Sequence, residues 1–247
     1  MRHYQTQLMG TDGLAISQSG GKAYITVAGG TAKATLYTAA GLALVNPVSL
    51  TNGMLEFWTA DTVSSVDLYV QGPSGHFNVY KAQAPALDTS LVFPKGAFTM
   101  MTIPFSIADT TAATETDTGF DLPTNGKVLP IKGGVDVLTL DAGITMDVGI
   151  LASESGGSAN GLYKAVSVAS AVHVTPTVVV TSGVYASTTK GAFIADFVVG
   201  TNTDDRGLYN LREYVCNGTA KSISYTLSSG SDTAAGFIRI PLIISNL

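Results

Sequence analysis

The 247-residue chain is 45% hydrophobic but only 13% charged, about half the charged fraction of an average soluble domain. Its net charge of −5, with 13 basic residues scattered singly, leaves no cationic stripe for a phosphate backbone and argues against nucleic-acid binding. Apolar runs such as Ile240 to Ile244 are far too short for a membrane-spanning helix, and the single cysteine, Cys216, forbids an intrachain disulfide or a cysteine-rich zinc site.

Residues 1–10 are polar and unpatterned, lack the apolar centre of a secretory signal, and are expected to form an N-terminal arm. Beyond them the apolar residues alternate with period two, the mark of half-buried strands. Lys22 to Ala28 places Ala23, Ile25 and Val27 on one face, and Ser64 to Val70 sets Val66, Leu68 and Val70 against Ser65, Asp67 and Tyr69. Thr99 to Ile107, Ile144 to Leu151 and Lys221 to Ser228 repeat the pattern. No long window carries a helical stripe. Gly20-Gly21, Gly29-Gly30, Asn52-Gly53, Asn125-Gly126, Gly133-Gly134, Gly156-Gly157 and Asn217-Gly218 fall between these runs, where Asn and Gly supply positive φ at low cost, and Asn217-Gly218-Thr219 reads as a hairpin turn. The fold class is therefore all-β.

A proline-bearing stretch without alternation, residues 82–96, reads as a linker. It separates a small N-terminal β-sandwich or barrel over 11–81 from a larger, jelly-roll-like β-sandwich over 97–247. The last ten residues form an apolar run interrupted by Pro241, which suits an edge strand or a segment packed on a neighbour.

Chemistry is sparsely represented. His3, His76 and His173 have no spacing that assembles a metal site or a triad, and each reads as a satisfied or exposed histidine. No serine stands in a nucleophile elbow. Cys216 sits in a strand-like run and reads as a small buried apolar residue. Glu115, Asp117 and Asp121 around Gly119, in a polar loop, and Asp204-Asp205 lack the ligand spacing of a calcium loop, so they read as solvated turns or interface ion pairs. One tryptophan, Trp58, is a poor basis for a sugar-stacking cleft. The expectation is no catalytic, metal-binding or cofactor-binding residues, and no enzyme. A charge-poor exterior with open sheet edges is instead stable when a partner covers it.

Ala34-Thr35-Leu36-Tyr37, then Leu44-Val45-Asn46-Pro47-Val48, Asn52-Gly53-Met54-Leu55-Glu56-Phe57 and Asp67-Leu68-Tyr69-Val70, resemble a small β-module of phage fibre and head-decoration proteins. Asp117-Thr118-Gly119-Phe120-Asp121-Leu122-Pro123, with Asp147-Val148-Gly149-Ile150-Leu151 and Ser153-Glu154-Ser155-Gly156-Gly157, is similar to a segment of tailed-phage virion structural proteins. The resemblance implies a head-decoration (cement) protein that binds the major capsid protein on the capsid exterior and forms a homotrimer. It would be made in the cytoplasm of the bacterial host, with no nucleic-acid or membrane partner. The alternative expectation is a tail fibre, tailspike or baseplate component recognising a host receptor.

Overall fold

A computed structural model describes residues 1–9, 20–72, 75–83, 89–92, 98–130, 133–181, 184–198, 208–211 and 213–244. The first strands are β1 (Arg2–Met9), β2 (Gly21–Val27), β3 (Leu36–Tyr37), β4 (Ala43–Leu44), β5 (Val48–Leu50), β6 (Met54–Thr59), β7 (Val66–Gln71), β8 (Phe77–Gln83) and β9 (Thr89–Val92). They build a first sheet in the order β4-β3-β6-β1-β9 and a second in the order β5-β2-β7-β8. Tyr4, Leu8, Leu36, Leu55 and Phe57 from the first meet Ala23, Ile25, Val66, Leu68 and Val70 from the second in one buried cluster. The chain is all-β, as expected.

The remaining strands are β10 (Phe98–Ser106), β11 (Thr116–Leu122), β12 (Lys127–Val128), β13 (Gly134–Thr139), β14 (Thr145–Ile150), β15 (Ser158–Ser167) and β16 (His173–Val174). After them come β17 (Val178–Thr181), β18 (Val184–Thr188), β19 (Ala195–Val198), β20 (Leu208–Leu211), β21 (Tyr214–Val215), β22 (Lys221–Leu227) and β23 (Ala235–Ile243). A third sheet runs β10-β23-β13-β16, with β12 and β21 continuing beside the far half of β23, and a fourth runs β11-β22-β14-β15. The orders β10-β23-β13-β16 and β11-β22-β14-β15 give these eight strands the connectivity of a jelly roll. Met101, Ile103, Phe105, Ile238 and Ile240 face Phe120, Leu122, Val148, Ile223 and Leu227 across its core. Two hairpins, β17-β18 and β19-β20, lie in the chain between β16 and β22.

Four expectations are corrected. Residues 2–9, expected within a free arm, form β1, an inner strand of the first sheet between β6 and β9. Tyr4, Thr6 and Leu8 point inward between exposed or half-exposed neighbours, so the period-two signal was present but muted by Gln and Thr. The expected linker contains the end of β8 and all of β9, which pairs parallel to β1; residues 84–88 and 93–97 lie outside the described residues. The C-terminal strand β23, expected at an edge, is central. Pro241 is tolerated there because its carbonyl accepts the Leu129 N–H (3.0 Å), so its nitrogen faces the break between β12 and β13, where no ladder bond is required. Asn217-Gly218 joins β21 to β22 in different sheets and is not the turn of a hairpin.

Strand β7 departs from expectation in a way that shapes the whole molecule. Its alternation predicts one covered face, yet all six residues are buried. Val66, Leu68 and Val70 enter the first cluster, while Tyr69, on the opposite face, joins Tyr24 and Phe77 in the jelly-roll cluster. The second sheet is thus covered on both sides.

Candidate functional site

The carboxylates flagged in the sequence are built into the framework. Glu115 accepts the Ala152 N–H (3.0 Å) and the Ser224 hydroxyl (2.6 Å). Asp117 accepts the Gly119 N–H (2.8 Å). The segment that reads as a polar loop is largely strand β11, bulged between Asp117 and Asp121 against β22. Asp121 takes the Lys22 ammonium (2.9 Å) and the Ser222 hydroxyl (3.0 Å), and its backbone exchanges hydrogen bonds with the Gln71 side-chain amide. Asp204 and Asp205 lie outside the described residues.

The three histidines do not converge. His3 stacks on Trp58, ring centroids 4.2 Å apart, and contacts Glu56 at 3.0 Å. His76 is buried just before β8. His173 contacts Asp136, which also receives Arg239. Cys216 is fully buried, its thiol pointing at the Leu122 and Thr219 carbonyls (both 3.5 Å), and burial pushes its pKa up. Among the described residues, no group of three or more His, Cys, Asp or Glu is placed to hold a metal ion, and no helix is long and apolar enough to cross a membrane.

Pro47 and the 117–123 segment meet where the second sheet packs on the jelly roll. Gly119 has φ +76°, and a Cβ there would stand 2.5 Å from Pro47 Cγ; Gly75, φ +86°, is pressed in the same way by Pro123. Glycine is required at both for two reasons, since a side chain would be strained and would also clash. Phe120 lies 5.2 Å from Phe77, edge to face, and 6.0 Å from Tyr24. The Tyr24 hydroxyl donates to Asp109 (3.1 Å), which also accepts the Lys33 N–H. Burial and the Asp109 carboxylate drive the Tyr24 pKa far up, so it stays a neutral donor. Beside this junction a cleft of about 250 Å³ opens among Lys22, Ser49, Leu50, Gln71, Asp121 and Pro123. Its Lys22 charge is already paired with Asp121, so the cleft reads as a seam of the junction.

Exposed apolar side chains are the remaining candidates for a contact surface. Leu42 (68% exposed) and Val45 (78%) protrude from the β3-β4 hairpin region, at the rim of the first sheet. Leu138, Leu140 and Val172 form a second group beside the open edge of the third sheet, where the Val137 N–H meets the Val172 carbonyl. Sequence reasoning missed these groups, because strand alternation predicts burial for such residues. No protein-family model, curated protein or solved structure matches the chain.

Proposed function

We propose that this chain is a non-enzymatic structural protein of a tailed-phage particle, a head-decoration protein bound to the major capsid protein on the capsid exterior. The observation that carries this reading is a jelly roll packed against a second pair of sheets, with Leu138 and Val172 of the jelly roll and Leu42 and Val45 of the first sheet all more than half exposed. Leu138 lies on a paired strand and Leu42, Val45 and Val172 stand within two residues of strand ends, so their backbone has little freedom left to lose when a partner covers them. Jelly rolls serve in viral capsids and in lectins, and by fold analogy this one suits either setting. The sequence resemblance to virion proteins supports the capsid branch of that analogy.

In this reading each subunit bridges neighbouring capsid subunits and resists outward pressure by adding interface area. A homotrimer, the stoichiometry the resemblance implies, engages several sites at once and gains avidity without any single strong contact. Production in the bacterial cytoplasm and a final location on the particle follow from the same proposal. The test is to mix purified chain with particles lacking it: co-sedimentation with a rise in particle melting temperature is expected, and neither occurring would overturn the reading.

A second reading, a tail fibre, tailspike or baseplate component that contacts a host receptor, is favoured by one observation. His3 and Trp58 stack on the outer face of the first sheet, with Tyr37 opposite Trp58 on the next strand. Immunogold labelling of intact particles separates head from tail.

A further inference from the structure

We infer that Asn217 converts to aspartate and isoaspartate in the folded protein without an enzyme, so that the crossing between β21 and β22 is a self-modifying site that marks the age of each chain. The inference does not depend on the particle reading above.

The reaction needs an asparagine followed by a residue whose backbone nitrogen can reach the side-chain amide. That nitrogen gives its proton to solvent and attacks the asparagine Cγ. The N–Cγ bond forms, the Cγ–Nδ2 bond breaks, and ammonia leaves. Water then opens the cyclic imide at one carbonyl or the other, giving aspartate or its β-linked isomer. Glycine suits the second position because it has no Cβ to obstruct the approach. Two further conditions are structural. The peptide between the two residues must be able to rotate about the asparagine Cα–C bond, and its N–H must not be held by an acceptor, since that bond would have to break first.

The chain holds four such pairs, Asn52-Gly53, Asn125-Gly126, Asn160-Gly161 and Asn217-Gly218, and the fold locks three of them. Asn52-Gly53 is a tight turn closed by mutual backbone bonds between Thr51 and Met54. Its peptide planes are pinned, the Asn52 carbonyl by the Gln7 side-chain amide (3.1 Å) and the Gly53 carbonyl by the Leu8 N–H (2.9 Å). In the second pair the attacking nitrogen is engaged, because the Gly126 N–H donates to the Pro123 carbonyl (2.9 Å). Asn160 and Gly161 lie within β15. There Gly161 is buried, with the Phe193 ring against it and the Phe193 N–H on its carbonyl (2.8 Å).

Asn217-Gly218 meets both conditions. Residues 217–220 are all exposed and pass between strands of different sheets, outside any ladder. Among the described residues, no acceptor holds the Gly218 N–H and no partner holds the Asn217 amide. Gly218 has φ +83°, and a Cβ there would meet nothing within 4 Å, so the backbone has open space in which to turn. The segment is tied by the Cys216 N–H on the Gly126 carbonyl (2.9 Å), by the Cys216 thiol on the Thr219 carbonyl (3.5 Å) and by β22 from Lys221 onward. None of these bonds involves the 217–218 peptide. The added main-chain methylene of the isomer falls within this exposed stretch, and each conversion adds one negative charge to a chain of net charge −5.

Incubation of the full native chain in mildly alkaline buffer, followed by peptide mapping with mass spectrometry, tests the inference. The amide-to-acid mass change is expected at Asn217 at least about tenfold faster than at Asn52, Asn125 or Asn160, with isoaspartate among the products. In denaturant the four pairs should convert at similar rates, since only the folded structure separates them. Gly218→Ala should slow the conversion by crowding the attack, and Asn217→Gln, which would have to close a larger ring, should abolish it. Far-UV circular dichroism checks that each variant is folded. A native Asn217 that stays an amide for as long as the denatured chain takes to convert it would overturn the inference. So would a native rate at Asn217 no greater than at the other three, the same lead for Asn217 in denaturant, or a Gly218→Ala variant that converts as fast as the wild type.

Discussion

Asp67 on β7 accepts the N–H of Ala82 on β8 at 2.8 Å, and Ala82 has a positive φ of 51°. The β7-β8 register slips by one residue at this point, so the carboxylate receives an N–H that the ladder has lost. The same device recurs in the jelly roll, where Asp147 on β14 accepts the Ala165 N–H of β15 at 2.7 Å beside another register shift, with Ala165 at φ 48°. In both places an aspartate on one strand holds an alanine of the next in a left-handed bulge.

Removing the aspartate and relaxing the alanine should therefore act in opposite directions. Asp67 is 2% exposed and also serves the Gly29 N–H and the Lys81 ammonium. Asp67→Ala is expected to cost about 2–4 kcal/mol by leaving buried donors unmet. Ala82→Gly and Ala165→Gly remove a left-handed penalty of about 1–2 kcal/mol and add about 0.5–1 kcal/mol of backbone entropy loss. Both should raise the melting point slightly in thermal unfolding.

Acid should destabilise the protein through the same carboxylates. Burial pushes the Asp67 pKa up, but the Ala82 and Gly29 N–H groups and Lys81 outweigh it and hold it below the usual range. Asp141 is lowered chiefly by the Asp232 N–H, with Thr233 and Ser231 assisting. A carboxylate with a depressed folded pKa lends its full stability above its unfolded pKa of about 3.9. It loses that stability as pH falls through the folded value. The melting temperature should be flat from pH 7 to about 5 and fall below about pH 4, with a shallower acid slope in Asp67→Asn.

Asn46 stands in for a missing strand. Its side chain accepts the Ile25 N–H (3.0 Å) and donates to the Ile25 and Ala34 carbonyls (2.7 and 3.1 Å). Asn46→Ala should cost about 2–4 kcal/mol. Asn46→Asp keeps the acceptor but sets a carboxylate against two carbonyls, so its stability should rise as the pH is lowered toward about 4 and the acid becomes a donor. Denaturant titration at pH 7 and pH 4.5 reads the difference.

Because the second sheet is shared by both hydrophobic clusters, calorimetry of the wild type should show one cooperative transition. Phe120→Ala removes the ring against Phe77 and Tyr24 and should cost about 3–5 kcal/mol. Gly119→Val adds left-handed strain and a clash with Pro47. Either substitution is expected to split the calorimetric transition in two, and a single transition kept by both variants would count against the coupling.

Cys216 should be silent in the native state. The Cys216 side chain is fully buried and burial raises its thiol pKa, so Ellman's reagent should find no reactive thiol in native protein and one per chain in denaturant. A rapid native reaction would place the β21-β22 crossing in an open state.

Local rules account for what was legible in the chain. Ile25, Leu68, Ile103, Val148 and Ile223 announce strands because alternation needs only near neighbours, and Asn52-Gly53 announces its turn, both residues having positive φ. The aromatic face of β7 was not legible, since Tyr69 and Asp67 look solvent-facing until Phe237 and Lys81 arrive over them. Nor was the exposure of Leu42 and Val45, whose residue types predict burial.

By itself, then, the order of residues determined strand periods, turn positions, the all-β class and the poverty of charge, all properties of composition or of short windows. Only the tertiary structure decided that β23 is central, that β1 is a sheet strand and that the second sheet is buried twice. Those outcomes depend on pairings as distant as Phe98 with Ile243, and the energy of such a contact belongs to both partners, so neither segment carries it alone.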